Sequence, residues 1–347
     1  MSNQPPIEVP QGAIRLNTDS QRLEFFAQDR WYEFATDSPL LAESGLGDIS
    51  PGARGIFGTG TTPGQTDFIG FINIASNGNE QDFGNAVAQT HGASAGLSSR
   101  TRGIFAGGQG SSPYNEIHYV TIAQKGDSID FGDLTRGTRF CEGASNQTRG
   151  IIAGGMDQPS DNRVNTTEFV TIASTGNGLD FGDLTLNRAQ AKGVSNGTRA
   201  IFSCGQSPSK VNTIDFFIIG TLGNASDFGD ATTSTDSQAS GCNAIRGIFA
   251  GGSPAGDDDQ KVIQFITMAT LGNATNFGEL SVQRSSAAGV SSPTRSVFAG
   301  GYTNPGSTHT TTIDYINNMT EGNAVDFGDQ SVNRDQMGSF SNAHGGL

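Results

Sequence analysis

The sequence predicts an all-β fold built from six repeats of about 49 residues, and three observations carry that prediction. The tripeptide Asp-Phe-Gly recurs at Asp82, Asp130, Asp180, Asp227 and Asp326, with an Asn variant at Asn276, at spacings of 48, 50, 47, 49 and 50 residues. A second marker keeps the same period: Arg54, Arg102, Arg149, Arg199, Arg246 and Arg295, each just ahead of a short apolar pair. Helix signals are nearly absent, because Gly, Asn, Thr and Ser interrupt every window long enough for three turns.

Each unit reads as four short strands. In the fourth unit they fall around Val194, Ile201–Phe202, Phe216–Ile219 and Phe228. Four copies of the second strand end in a double glycine, at Gly107-Gly108, Gly154-Gly155, Gly251-Gly252 and Gly300-Gly301. The third strand, as in Glu168-Phe169-Val170-Thr171-Ile172-Ala173, is rich in β-branched and aromatic residues. Both of its faces hold apolar residues, so it is expected to be covered on both sides, which a radial array of sheets supplies. The dipeptides Gly78-Asn79, Gly126-Asp127, Gly176-Asn177, Gly223-Asn224, Gly272-Asn273 and Gly322-Asn323 are expected to form the tight turn into the fourth strand.

These features predict a six-bladed β-propeller over residues 46–347. The units resemble kelch repeats, through the double glycine, the central aromatic of the third strand (Tyr119, Phe169, Phe265, Tyr315) and the Phe of Asp-Phe-Gly where kelch units place Trp. Arg188, Arg284 and Arg334 match a further kelch position, whereas Thr90, Thr138 and Thr235 depart from it. The last unit stops at Phe340-Ser341-Asn342, so the C-terminal strand is able to complete the first blade. Ile49-Ser50 offers a competing copy of that strand.

Residues 1–45 read as a separate β-hairpin or meander, too small to hold a core alone. Its runs are Gly12 to Asp19, Arg22-Leu23-Glu24-Phe25-Phe26 and Arg30-Trp31-Tyr32-Glu33-Phe34. The Gly-x-Ile-Arg-x-Asn-Thr-Asp and Leu-Glu-Phe pattern resembles a short segment of tailed-bacteriophage structural proteins. The Arg-Gly-Ile-Phe-Ala-Gly-Gly units are similar to repeats in structural proteins of marine phages and cyanophages. The resemblance implies a virion location and a tail-fibre or other adhesin-type role. Trp31, Phe25 and Phe26 would anchor the chain to other virion proteins, and the protein would associate with further copies of itself on the particle.

Composition narrows the chemistry. Twenty Lys+Arg against 34 Asp+Glu give a net charge of -14, which disfavours nucleic acid as a partner. No run of apolar residues is long enough for a spanning helix, and the first residues lack the marks of a signal peptide. Cys141, Cys204 and Cys242 form no CxxC pair. Asp-Phe-Gly is also a magnesium motif of kinases, yet six copies without companion motifs read as a buried Phe beside a turn. Asx residues at three-residue intervals (Asn177, Asp180, Asp183 and their equivalents) suit turns, with calcium as the alternative; no other cofactor is expected. Asp257-Asp258-Asp259 reads as a solvated loop tip. The repeated Arg residues are expected to pair with Asp residues, the alternative being an anion site. His91, His118, His309 and His344 are scattered, and no catalytic constellation emerges.

The segments Gln109–Glu116, Met156–Thr166, Gln206–Thr213, Ser253–Lys261 and Tyr302–Thr311 differ between units and leave the repeat at one position, so they are expected to cluster on one face. Tyr114, Arg163, Lys210, Lys261, Tyr302 and His309 are the expected ligand contacts there, toward a host glycan or protein. The expected function is non-enzymatic attachment. A carbohydrate-active enzyme on a kelch scaffold is the alternative, and an intracellular kelch adaptor a third reading.

Overall fold

The computed structural model describes residues 10, 12–17, 22–28, 30–33, 54–62, 64, 66–87, 92, 94–109, 115–158, 160–256 and 258–347. Tyr114, Thr90, His91, Asp257 and the competing strand Ile49-Ser50 lie outside the described residues. Two compact units divide the chain at residues 1–49 and 50–347. The expected junction at 45–46 falls outside the described residues.

Among the described residues there is no helix, and the second unit is a propeller-like all-β assembly of four-stranded antiparallel sheets. Six such sheets occur, each a meander. The second runs Ala95–Ser98, Arg102–Ala106, Glu116–Thr121, Ile129–Asp133. The third runs Glu142–Ser145, Arg149–Ala153, Thr166–Thr171, Leu179–Asp183, and the fourth Lys192–Ser195, Arg199–Ser203, Thr213–Ile218, Ser226–Asp230. The fifth runs Ala239–Cys242, Arg246–Ala250, Val262–Thr267, Thr275–Glu279, and the sixth Ala288–Ser291, Arg295–Ala299, Thr312–Asn317, Val325–Asp329. The first sheet joins both ends of the unit: Gly338–Ser341 pairs antiparallel with Arg54–Gly58, followed by Phe68–Asn73 and Gln81–Asn85. The C-terminal strand therefore completes the first sheet.

The core lies between the sheets. Each of six apolar clusters draws side chains from two successive sheets, for example Ile104 and Leu97 with Ile152 and Val170. Another joins Phe57 and Ile72 of the first sheet to Val297 and Ile313 of the sixth. Third strands are buried from both sides, as their mixed apolar pattern predicts.

Two repeat motifs act differently from the sequence reading. Gly176-Asn177 is not a tight turn into its own fourth strand. Seven residues separate Thr171 from Leu179, and the dipeptide reaches across to the preceding sheet. There Gly176 N donates to Phe131 O at 2.8 Å, and Asn177 Oδ1 accepts Asp133 N at 3.1 Å. The Asp-Phe-Gly segment bulges at Gly132 (φ 148°), where a Cβ would run into the Gly176 backbone, so only glycine permits the approach. The same clasp recurs on every sheet, including Gly78 N to Phe327 O (2.9 Å) between the first and sixth.

The repeated Arg residues are likewise corrected: their main partner is a carbonyl, not an Asp. Arg149 Nη1 donates to Ile219 O of the next sheet at 2.7 Å while its guanidinium lies 4.5 Å from the Phe169 ring centroid. Arg102 and Arg199 repeat this on Ile172 O and Met268 O, and Arg295 does so on Ala75 O of the first sheet. Arg246 adds a carboxylate, Glu321, at 3.4 Å.

The first unit is a three-stranded antiparallel sheet, Ile14–Asn17, Arg22–Ala27 and Arg30–Glu33. Arg15 pairs with Glu24 at 2.7 Å and stacks 4.0 Å over Trp31, which meets Phe26 edge-on. Phe25 stacks on Tyr32 across the other face. No helix among the described residues is long and apolar enough to cross a membrane.

Candidate functional site

The first strands of all six sheets surround a narrow cavity of about 50 Å3. They approach closely because Gly143 and Gly193 carry no side chain: a Cβ on either would collide with the carbonyl oxygen of Gly96 or Gly143 on the neighbouring strand. A ladder of serines ties one end. Ser145 Oγ donates to Ser98 O (2.8 Å), Ser195 Oγ to Ser145 O (2.7 Å) and Ser98 Oγ to Ser341 O (2.7 Å). His344 stops that end, its Nε2 3.3 Å from both Ser98 O and Ser145 Oγ. Gly346 N donates to its Nδ1 at 3.1 Å, which fixes the neutral tautomer with hydrogen on Nε2. Burial pulls the His344 pKa down to about 4.

The other end carries the variable loops and is the candidate site. One residue per unit, ten positions after the Asp of Asp-Phe-Gly, rims it: Gly92, Phe140, Gln190, Ser237, Ser286 and Gln336. The N–H of Gln190, Ser237, Ser286 and Gln336 each donates to the preceding member's carbonyl, at 3.0, 3.1, 2.7 and 2.9 Å. All five non-glycine members hold left-handed φ values between 53° and 59°. That conformation costs an ordinary residue on the order of 1 kcal/mol or more. These side chains line a recess of about 30 Å3.

Beneath the rim, Glu142 and Lys192 stand where the second, fifth and sixth sheets carry Ala95, Ala239 and Ala288. Lys192 Nζ lies 2.8 Å from Glu142 Oε2. Desolvation raises the Glu142 pKa, and the Lys192 charge opposes the rise. Ser94 also lines the recess, and its buried Oγ has no hydrogen-bond partner among the described residues.

The loops around this end interlock, and most of the expected contact residues serve that purpose. Arg163 donates to Gln206 Oε1 of the next loop at 2.7 Å. Lys210 Nζ bonds Ser253 Oγ at 2.7 Å and lies 3.5 Å from Asp236 Oδ1. Asp259, buried rather than at a solvated tip, accepts Asn304 N at 2.7 Å. His309 packs edge-on against Tyr302 (5.5 Å) and lies 3.5 Å from Asp335 Oδ1. Burial lifts the Asp335 pKa to about 6 despite the nearby His309. Lys261 is half-buried. The structure thus gathers the loops on one end, but Arg163, Lys210 and His309 are tied to neighbours. The rim was missed by sequence reading, although one fixed register holding Gly, Phe, Gln, Ser, Ser and Gln was a readable signal.

Among the described residues no group of three or more His, Cys, Asp or Glu side chains is arranged to hold a metal ion. The Asx oxygens at Asn177, Asn224, Asn273 and Asn323 accept backbone N–H groups. Burial pushes the thiols of Cys141 and Cys204 up to about 12 and about 11, which makes them poor nucleophiles. In comparison with known proteins, the chain matches no family model and no curated protein.

Proposed function

We propose that the chain is a structural, adhesin-type component of a tailed-phage virion. In this reading residues 50–347 form a closed six-bladed propeller whose loop end binds a host surface or a neighbouring virion protein. Closure is supported by the C-terminal strand in the first sheet and by the links between the first and sixth sheets, Gly78 to Phe327 and Arg295 to Ala75. The three-stranded sheet at Ile14–Glu33 is the attachment module, and several copies per particle turn weak contacts into firm adhesion.

The observation that carries the binding reading is the loop end itself. Its loops are held to one another, and a strained ring of dissimilar side chains surrounds a recess. Strain of that kind collects at sites that bind or react. Hydrolysis of a glycosidic bond ordinarily needs two carboxylates. The recess offers Glu142 alone, and Lys192 holds it. Binding therefore fits the chemistry better than cleavage, and an oligosaccharide left at full length after incubation is the matching assay result.

Gold-labelled antibody microscopy on particles from a lysate expressing the protein tests the location. Label at a tail tip or fibre supports adhesion, and label over the head supports a decorating role. Clean particles with the protein left in solution overturn the virion reading. A chain lacking residues 1–45 is expected to fold and yet stay out of particles.

A further inference from the structure

The rim side chains are not needed for the backbone they sit on. A second left-handed position of the repeat is glycine in four units, Gly107, Gly154, Gly251 and Gly300 (φ 61° to 66°), and Thr59 and Cys204 (φ 59° and 61°) in the other two. Glycine adopts this conformation freely. Phe140, Gln190, Ser237, Ser286 and Gln336 instead keep side chains there at a cost to stability, and all five residues line one recess. Ser94 Oγ adds an independent sign, since a buried hydroxyl without a partner among the described residues belongs to the lining of the same recess.

The chemistry of the rim selects the ligand. Two primary amides and two hydroxyls offer donors and acceptors, and Phe140 offers a ring face, yet none of the five is charged. The charges below cancel within the Glu142–Lys192 pair. An ionic ligand would have to break that pair, whereas a neutral polyol gains bonds without disturbing it. At about 30 Å3 the recess has room for roughly two waters, so it admits an end group and not a whole sugar ring.

We infer that this recess is a subsite for the terminal residue of an uncharged glycan. The hydroxymethyl arm enters toward Ser94, the ring hydroxyls meet Gln190 and Gln336, and the apolar face lies against Phe140. This rests on the reading that the loop end is the binding face.

Saturation-transfer NMR and calorimetry on the full chain test it, with glucose, galactose, mannose and N-acetylglucosamine as neutral probes and N-acetylneuraminic acid as the charged one. At least one neutral probe is expected to receive saturation strongest at its hydroxymethyl protons. The triple variant Phe140→Gly/Gln190→Gly/Gln336→Gly is expected to lose affinity tenfold or more while melting no earlier than the parent. Ser94→Ala, which alters no backbone bond, is expected to weaken binding severalfold. Silence from every neutral probe, preference for the charged sugar, or undiminished binding by the glycine variant overturns the subsite. Early melting of the glycine variant overturns it as well, because the side chains would then serve the fold. Gold label on particles together with silent neutral probes leaves the virion reading standing and removes only the subsite. Sugar binding with unlabelled particles does the reverse.

Discussion

Arg188 and Asp215 form an ion pair with no access to water: Nη2 lies 3.1 Å from Oδ2, and both side chains are 0% exposed. Removing two charges from water is costly, so such a pair persists only when further hydrogen bonds occupy the rest of each group. Arg188 also donates to Thr213 O (2.8 Å) and Phe202 O (3.0 Å), which leaves only its Nε without a partner among the described residues. Asp215 accepts the Thr185 hydroxyl (2.7 Å) and backbone N–H (3.1 Å) from the end of the third sheet. The pair therefore fastens two sheets. Arg284–Asp314 and Arg334–Glu80 repeat it elsewhere.

Asp215→Ala leaves a guanidinium buried without its counter-charge, and should lower stability by about 3–5 kcal/mol in urea denaturation. The double replacement Arg188→Leu/Asp215→Leu should cost less than the single change, since no charge is stranded. A midpoint unmoved by Asp215→Ala would mean that water reaches the pair.

Phe181 packs edge-on against Phe169 (5.9 Å) and Phe217 (5.4 Å), which belong to different sheets, and is 2% exposed. Phe181→Ala should cost about 3–5 kcal/mol, with the transition still cooperative. An unchanged melting temperature would contradict its place between sheets.

The period, the six units and the strand positions were legible because they are local properties, set by turn residues and by β-branched and aromatic runs. What each repeated residue touches was not. Arg149 meets Ile219 and Gly176 meets Phe131, tens of residues away, and a carbonyl acceptor leaves no trace in side-chain identity. Ion-pair partners were only partly legible: Arg188 and Arg284 coincide with acids at Asp215 and Asp314 and Thr235 with Gln264, yet Thr138 coincides with an acid too, Glu168. Glu80 breaks the rule: it fills the space beside Gly70 from the connection just ahead of Gln81–Asn85. The variable register of the rim was readable, but its left-handed conformation was not, because Phe, Gln and Ser carry no signal for positive φ.

The C-terminal residues divide into a structural strand and a stopper. Phe340 is 4% exposed and lies 4.8 Å from the Phe105 ring, so truncation after Met337 removes a core ring and leaves one edge of Arg54–Gly58 open, its other edge still paired with Phe68–Asn73. That chain should be recovered only as aggregate. Truncation after Ser341 removes His344 but keeps the strand, and should give a folded protein with a melting temperature within a few degrees of the parent. Equal behaviour of the two truncations in circular dichroism would refute this division.

Acid should loosen the molecule through two histidines. Burial pulls His118 and His344 down to about 4, below the ordinary value near 6.5. Both are neutral in the fold. As pH falls through 6.5 the unfolded chain takes up protons that the folded one refuses until about pH 4, so stability is full above 6.5 and declines between 6.5 and 4. The ceiling is about 3 kcal/mol for each residue, less for His344, which is not fully buried. Asp335 works in the opposite direction. Its carboxyl is raised to about 6, so the unfolded chain ionises first, and stability falls as pH climbs from about 4 to 6. Asp335→Asn should therefore steepen the acid loss seen in urea titrations at pH 7, 6, 5 and 4.5, and His118→Gln should flatten it. Imidazole proton shifts offer a direct check: both histidines should keep their neutral-form positions at pH 5.5, while any His detached from the fold has already moved. If the His344 resonance titrates near 6.5, its ring is not held between Ser98 and Ser145.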